Sequence, residues 1–270
     1  MSTYFISIQA THQHAQLALF QDTTCLEVFH DKDRKASSHL INHINALLGN
    51  HGITKKDLAF IAADKGPGAF TSLRVTIALL NGIGYTRTTP LIGVDGLAAL
   101  ACQMADSAGQ HMPALQSFYS APLLNAYNGD VYYGLYRVDA HVSFETALTS
   151  FLRTSATEVA DRSPEAQQQV LPNGCLASTA AIALLKETIQ DQPVVINGNG
   201  LELHQELIAS TFGTQLIVPA EVYQTASAVT IGRLAYQQFL ADSTPCYQLE
   251  PQYLKSQYFT IKQPPLSNAQ

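Results

Sequence analysis

The run Asp64-Lys65-Gly66-Pro67-Gly68-Ala69-Phe70-Thr71-Ser72-Leu73-Arg74 is the most specific chemical feature of the sequence. It passes from an apolar strand through glycines into a helix, and a helix N-terminus offers an anion unpaired N–H groups and a partial positive charge. The run lacks the Gly-Lys-Ser/Thr ending of a phosphate-binding P-loop. Two readings of Gly66 and Gly68 therefore stand: an anion or nucleotide contact, and a tight strand-to-helix turn. A second glycine turn, Asn197-Gly198-Asn199-Gly200, follows a predicted strand. There Gly198 and Gly200 could bring the backbone up to an adenine or ribose, and a plain turn is the reading the composition favours.

Metal chemistry has weaker support. His39 and His43 stand at i and i+4 on a predicted helix, close enough to share zinc, but no Glu of an HExxH site accompanies them. They read as a solvated helix face, and His12 and His14 as part of a hairpin turn, so no metal site is expected. The four cysteines (Cys25, Cys102, Cys175, Cys246) are scattered with no CxxC pair, and the N-terminus lacks the basic region and cleavage site of a signal peptide. A reducing cytoplasm is expected, and no stretch is apolar over the roughly 20 residues a membrane span needs.

These residues must be positioned by strands and helices, and the pattern of apolar residues predicts which. Tyr4–Ile8, Gln16–Phe20 and Cys25–Phe29 alternate with polar turns and read as an antiparallel meander. Leu40, Ile41, Ile44, Leu47 and Leu48 then recur at helical spacing, with Ser37 or Ser38 as N-cap. Leu58–Ala63 is a strand apolar on both faces, Phe70–Tyr85 a helix, Leu91–Val94 a strand and Gly96–Met104 a helix. Strand-helix alternation after a meander implies an α/β fold with mixed β-sheets and flanking helices.

A polar stretch, Ala105–His111, is the expected boundary between an N-terminal lobe (1–110) and a C-terminal lobe (111–270). The second lobe opens on a hairpin, Pro122–Tyr127 and Val131–Arg137, around Asn128-Gly129-Asp130. The Gln-rich stretch 153–173 reads as an exposed polar insertion, Ala177–Ile189 and Thr225–Leu240 as helices, and the tail after Lys262 as disordered.

With 270 residues, 46% of them apolar, the chain can build a core without disulfide or metal staples. Fifteen Lys and Arg against 21 Asp and Glu leave a formal charge of −6, so no global positive field attracts a nucleic acid. Charged residues are only 13% of the chain, against about 25% in a typical domain. Part of that uncharged surface lies on the helix Phe70–Tyr85, where Leu73, Ile77 and Leu80 occupy one side and Val75, Leu79 and Ile83 another. Ala78 and Gly82, four apart, would let a second helix approach closely. Either this helix is internal between two layers or, with the first helix, it offers a face for a four-helix contact across a subunit boundary.

GPGAFTSLR followed by an apolar helix and PLIGVDGLAALA resembles the pattern GPGSFTGVRIG…GVSTLA of the bacterial TsaB (YeaZ) family. SSHLINHINALL resembles that family's first helix, NAYNGDVYY its DARxGEVY hairpin, NGNG its GxG turn and EPQYLKSQ its PxYLR segment. The resemblance implies a two-lobed ASKHA fold of the actin-like ATPase and ribonuclease H-like kind. It also implies a non-catalytic subunit that pairs with TsaD and, with the ATPase TsaE, supports threonylcarbamoylation of adenosine 37 in tRNAs reading ANN codons. By the same resemblance Leu40, Ile44, Leu48, Phe70, Leu73, Arg74, Ile77, Ala78 and Asn81 are the expected interface to TsaD or to a second copy of the chain. No catalytic residue and no required cofactor are expected, ATP or ADP being placed at the interface of the complex and tRNA contact left to the partners.

Departures from the family pattern bear on chemistry. Gln9-Ala10 stands where related strands end in Asp-Thr, so the carboxylate that ASKHA enzymes hold near phosphate and Mg2+ is replaced by an amide, a poor Mg2+ ligand. Asn125 and Tyr127 replace the usual Asp and Arg, and Lys65 and Ser72 the usual Arg and Gly. Val94–Ala98 lacks the HxxxH that TsaD carries there. The alternatives are an ASKHA ATPase or kinase, which needs that carboxylate, and a metalloprotease, which needs the metal spacing.

Overall fold

The computed structural model describes residues 2–11, 14–32, 39–86, 89–111, 117–139, 168–217, 221–242 and 244–255. The first half builds β1 (Tyr4–Ala10), β2 (Ala15–Gln21), β3 (Thr24–Asp31), α1 (Leu40–Asn50), β4 (Leu58–Asp64), α2 (Phe70–Tyr85), β5 (Leu91–Val94) and α3 (Gly96–His111). Its sheet runs β3-β2-β1-β4-β5, antiparallel through the meander and parallel from β1 to β5.

The second half builds β6 (Ser117–Asn125), β7 (Asp130–Asp139), β8 (Gln168–Ala177), α4 (Ser178–Ile189), β9 (Val194–Asn197), α5 (Asn199–Leu203), α6 (Gln205–Phe212), β10 (Leu216–Ile217) and α7 (Ala228–Ala241). Its sheet reads β8-β7-β6-β9-β10 from the meander edge, the same topology as the first.

Alternation along the strands explains the layers. Ile6, Ile8, Leu17 and Leu19 face one side of the first sheet and pack with Leu40, Ile44, Leu47 and Leu48 of α1 and Leu73, Ile77 and Leu80 of α2. Phe5, Phe20 and Phe60 face the other side, Phe5 stacking on Phe20 at 4.8 Å, on Phe60 at 4.5 Å and on Tyr236 of α7 at 5.4 Å. This second core continues through α3 to Phe118, Leu124, Val138 and Val195 of the second sheet. α4 and α6 cover that sheet's far face. The molecule is a two-lobed α/β structure of ASKHA type, with α3 and α7 sandwiched between two sheets.

α7 belongs by packing to the first sheet although it lies near the C-terminus. Gly232 permits this: a Cβ there would come within 2.4 Å of the Phe20 ring, and Ser7 Oγ beside it donates to the Ala228 carbonyl at 2.6 Å. The segment 244–255 then straps the first lobe. Leu91 N–H donates to Cys246 O at 2.6 Å, Gln252 N–H to Lys65 O at 2.7 Å, and Asn81 exchanges two hydrogen bonds with the Leu249 backbone at 2.7 and 2.9 Å.

Several expectations are corrected. The stretch Ala105–His111, expected as the boundary after this helix, continues it: α3 runs to His111, and Ala108 is buried within it. The C-terminal part of the stretch expected as an insertion is the edge strand β8, whose polar residues sit where only one neighbour covers them; 140–167 lie outside the described residues. Tyr127, expected in a strand, is in the hairpin turn with φ +60, followed by Asn128 and Gly129 at +58 and +83. α1 starts at an N-cap, His39, that makes no side-chain capping bond, and Ser37, Ser38 and the tail after Lys262 are outside the described residues. Among the described residues no helix is long and apolar enough to cross a membrane.

Candidate functional site

β1, β4 and β5 end together, bringing Gln9, Asp64 and Asp95 to one edge of the first sheet. Asp64 Oδ1 accepts the Gly66 N–H at 2.8 Å, and its carboxyl lies against Gly96, where an added Cβ would approach Oδ1 to 2.6 Å. Asp64 as a whole residue is part-exposed, but this carboxyl is enclosed. Desolvation pushes its pKa up to about 7; the Asp95 charge adds to the rise, while hydrogen bonds from Gly66 and Gln9 oppose it. Gln9 is 1% exposed and its Oε1 has no partner.

Asp95 is fully engaged. Its Oδ1 accepts the Ala98 N–H at 3.0 Å and its Oδ2 accepts from Asn173 Nδ2 at 2.9 Å. Asn173 Oδ1 in turn accepts from Tyr136 at 2.7 Å and Gln169 at 3.1 Å. This chain joins the two sheets across α3. Burial raises the Tyr136 hydroxyl well above its ordinary pKa, so it stays a neutral donor. Sequence reasoning singled out none of Asp95, Asn173 or Tyr136; only the carboxylates at strand ends offered a signal.

The two glycine turns differ. At Gly66 (φ +104) a Cβ would meet Leu73 Cδ2 at 2.8 Å and Gln252 O at 3.0 Å, while at Gly68 nothing lies within 4 Å. The Gly66 N–H and C=O are both used internally, the carbonyl by Gly96 at 2.8 Å. α2 begins at Ala69 without a side-chain cap, and the hydroxyl of Ser72 is buried without a partner. At Gly198 (φ +110) a Cβ would lie 2.1 Å from Leu123 O, and at Gly200 3.0 Å from the same peptide. Asn197, wholly buried, accepts the N–H groups of Gly198 and Tyr223 at 2.8 and 2.9 Å and donates to Glu221 O at 2.8 Å. A Cβ at either glycine would therefore run into β6, which makes this turn a close packing contact with that strand.

The residues expected at an interface separate into two groups. Leu40, Ile44, Leu48, Leu73 and Ile77 are 0–6% exposed and belong to the core beneath the first sheet, so their apolarity is explained by their own lobe. Phe70, Arg74 and Ala78 are exposed, and Asn81 holds the strap. α2 is an outer helix, which removes the alternative of an internal one. Its outward side carries Val75 at 39%, Gly82 in open space and Tyr85 at 88%. Arg74 lies 4.0 Å over the Phe70 ring and donates to Tyr253 at 3.0 Å, making an aromatic and guanidinium cluster at the helix start.

His43 is not on a solvated face. It is 20% exposed and its Nε2 lies 2.7 Å from Asp31 Oδ2 at the end of β3. Sequence spacing paired His39 with His43 but had no means to add Asp31.

Fold and site together define an ASKHA-type protein whose strand ends gather Gln9, Asp64 and Asp95 and whose α2 carries an exposed outward face. The family model described as TsaD: tRNA N6-adenosine threonylcarbamoyltransferase matches residues 30–263, and the chain belongs to that family, in the branch named TsaB or YeaZ. The tRNA threonylcarbamoyladenosine biosynthesis protein TsaB of Bacillus subtilis (strain 168) is 24% identical over 251 residues, 93% of each chain. The protein of the same name from Escherichia coli (strain K12) is 26% identical over 96 residues, 36% of this chain and 42% of that one. The solved structure of YeaZ from Pseudomonas aeruginosa superposes with a TM-score of 0.64 at 17% identity, covering 93% of this chain and 100% of that one, and so shares the fold.

Proposed function

We propose that this chain serves tRNA threonylcarbamoyladenosine biosynthesis as a non-catalytic cytoplasmic subunit that pairs with TsaD and with TsaE, and that it forms a homodimer when isolated. The observation that carries this reading is the strand-end cleft: an amide, Gln9, stands where nucleotide chemistry needs a carboxylate, and Asp64 is buried against Gly96. The exposed side of α2, with Phe70, Arg74, Val75, Ala78 and Gly82, is the docking surface. Small residues at 78 and 82 allow close helix approach, and the aromatic and Arg cluster supplies an anchor of the kind that dominates interfaces. Contact with tRNA and with ATP or ADP then belongs to the complex.

The test is reconstitution. The pure chain makes no modified nucleoside from tRNA, ATP, threonine and bicarbonate, and restores synthesis when added to TsaD, TsaE and the enzyme that makes the threonylcarbamoyl donor. Failure to restore synthesis removes the proposal; Mg2+-dependent ATP turnover by the chain alone, lost in Gly68 variants, promotes the ATPase reading instead.

A further inference from the structure

Outside the cleft, metal-ligating side chains converge at one place among the described residues. Asp31 ends β3, His39 is the N-cap of α1 and His43 sits one turn further along it. One donor atom from each of the three lies within 4.8 Å of the other two. We propose that Asp31, His39 and His43 form a binding site for a divalent first-row transition cation, with Zn2+ the best match.

Two imidazoles and a carboxylate are a donor set suited to Zn2+. Zn–N and Zn–O bonds of about 2.0–2.2 Å put tetrahedral donors roughly 3.4 Å apart, so closing on a cation requires movements on the order of 1 Å. His39 and His43 are the pair that makes this feasible. They are four apart at the start of a helix, with ring centroids 6.1 Å apart and ring planes 70° to one another. His39 is exposed and can move; Asp31 and His43 are 13% and 20% exposed and already face each other. Phe29 packs on the His43 ring at 4.6 Å, fixing its plane and excluding water from one side. Three protein donors leave a fourth position for water or for a side chain of a docked partner. The bound ion ties the end of β3 to the start of α1.

The same two elements provide an internal control. His51, just past α1, lies 2.8 Å from Glu27 Oε2 on β3, and the other Glu27 oxygen accepts from Asn50 Nδ2 at 3.3 Å, so an amide rather than a second histidine completes this acid–histidine pair. The site is also distinct from the place where the family's HxxxH would fall, Val94–Ala98, which has no histidine.

The full chain, stripped with a chelator and shown by circular dichroism to be folded, is titrated with Co2+ and then with Zn2+ as competitor. The wild type is expected to bind one ion per chain with the visible bands of nitrogen and oxygen ligands. In a folded His39→Ala variant the affinity should fall by more than the roughly 10–100-fold that loss of an outer-shell partner alone produces, whereas His51→Ala should bind as wild type. No saturable binding by the wild type, thiolate bands in the Co2+ spectrum, or unchanged affinity in His39→Ala would each overturn the proposal and leave Asp31 and His43 as a hydrogen-bonded pair only.

Discussion

The two lobes share one strand order, yet their corresponding glycine turns are used differently. In the second lobe the turn after β9 is a packing joint: Gly198 and Gly200 exist because β6 passes too close for any side chain. In the first, Gly66 is tied into the cleft and the strap, but Gly68 faces open space and α2 starts without a side-chain cap. The outer helices diverge in the same direction. α2 is one helix of 16 residues with an uncovered apolar stripe, while its counterpart is broken into α5 and α6 of five and eight residues. A repeated topology supplies two strand-to-helix turns, and the backbone of β6 packs tightly against only one of them.

The largest expected effect separates the two turns. Gly198→Ala places a Cβ 2.1 Å from Leu123 O at a φ of +110 and should cost more than about 4 kcal/mol in urea unfolding, whereas Gly68→Ala should stay within about 1 kcal/mol. Equal costs would mean that the lobes do not differ in this way. The next contrast is across α2. Ile77→Asp buries an unpaired charge and should lose about 3–4 kcal/mol, so it reports on the core and not on docking. Val75→Asp should change stability by no more than about 0.5 kcal/mol while weakening self-association or partner binding, read by sedimentation and pull-down. An unaltered oligomeric state and partner affinity in Val75→Asp would show the stripe to be unused.

The last contrast is read from pH and concerns the strand ends. The folded-state pKa of Asp64, about 7, lies above its ordinary value of 3.8, so the folded state holds the extra proton between those limits. The stability this provides is full below about pH 4 and is lost as pH rises through 7, at up to about 1.4 kcal/mol per pH unit. Asp64→Asn, which keeps an acceptor for the Gly66 N–H, should flatten that part of the stability curve; an unchanged slope would show that Asp64 is not the group responsible.

Much of the fold was legible because periodicity reports directly on which side of an element is covered. The meander, the apolar-sided strand β4, α1 and α2 all follow from the spacing of residues such as Ile6, Ile8, Leu40 and Ile44. Periodicity could not tell whether the second apolar side of α2 meets its own chain or another, because Val75 and Ile77 have the same chemistry in a sequence. Nor could it place β8, whose polar residues read as a loop, or the end of α3.

The sequence by itself determined the family, through GPGAFTSLR and its companion segments, and the absence of a carboxylate at position 9. Those are properties of single positions and local order. Only the tertiary structure decided that Gly198 is closed and Gly68 open, that Asp95 is taken by Asn173, that Asn81 holds Leu249, and that Asp31 joins His39 and His43. Each of these depends on chain segments far apart in sequence or on different elements being packed to within a few ångströms, and such distances are set by the whole core rather than by any local pattern.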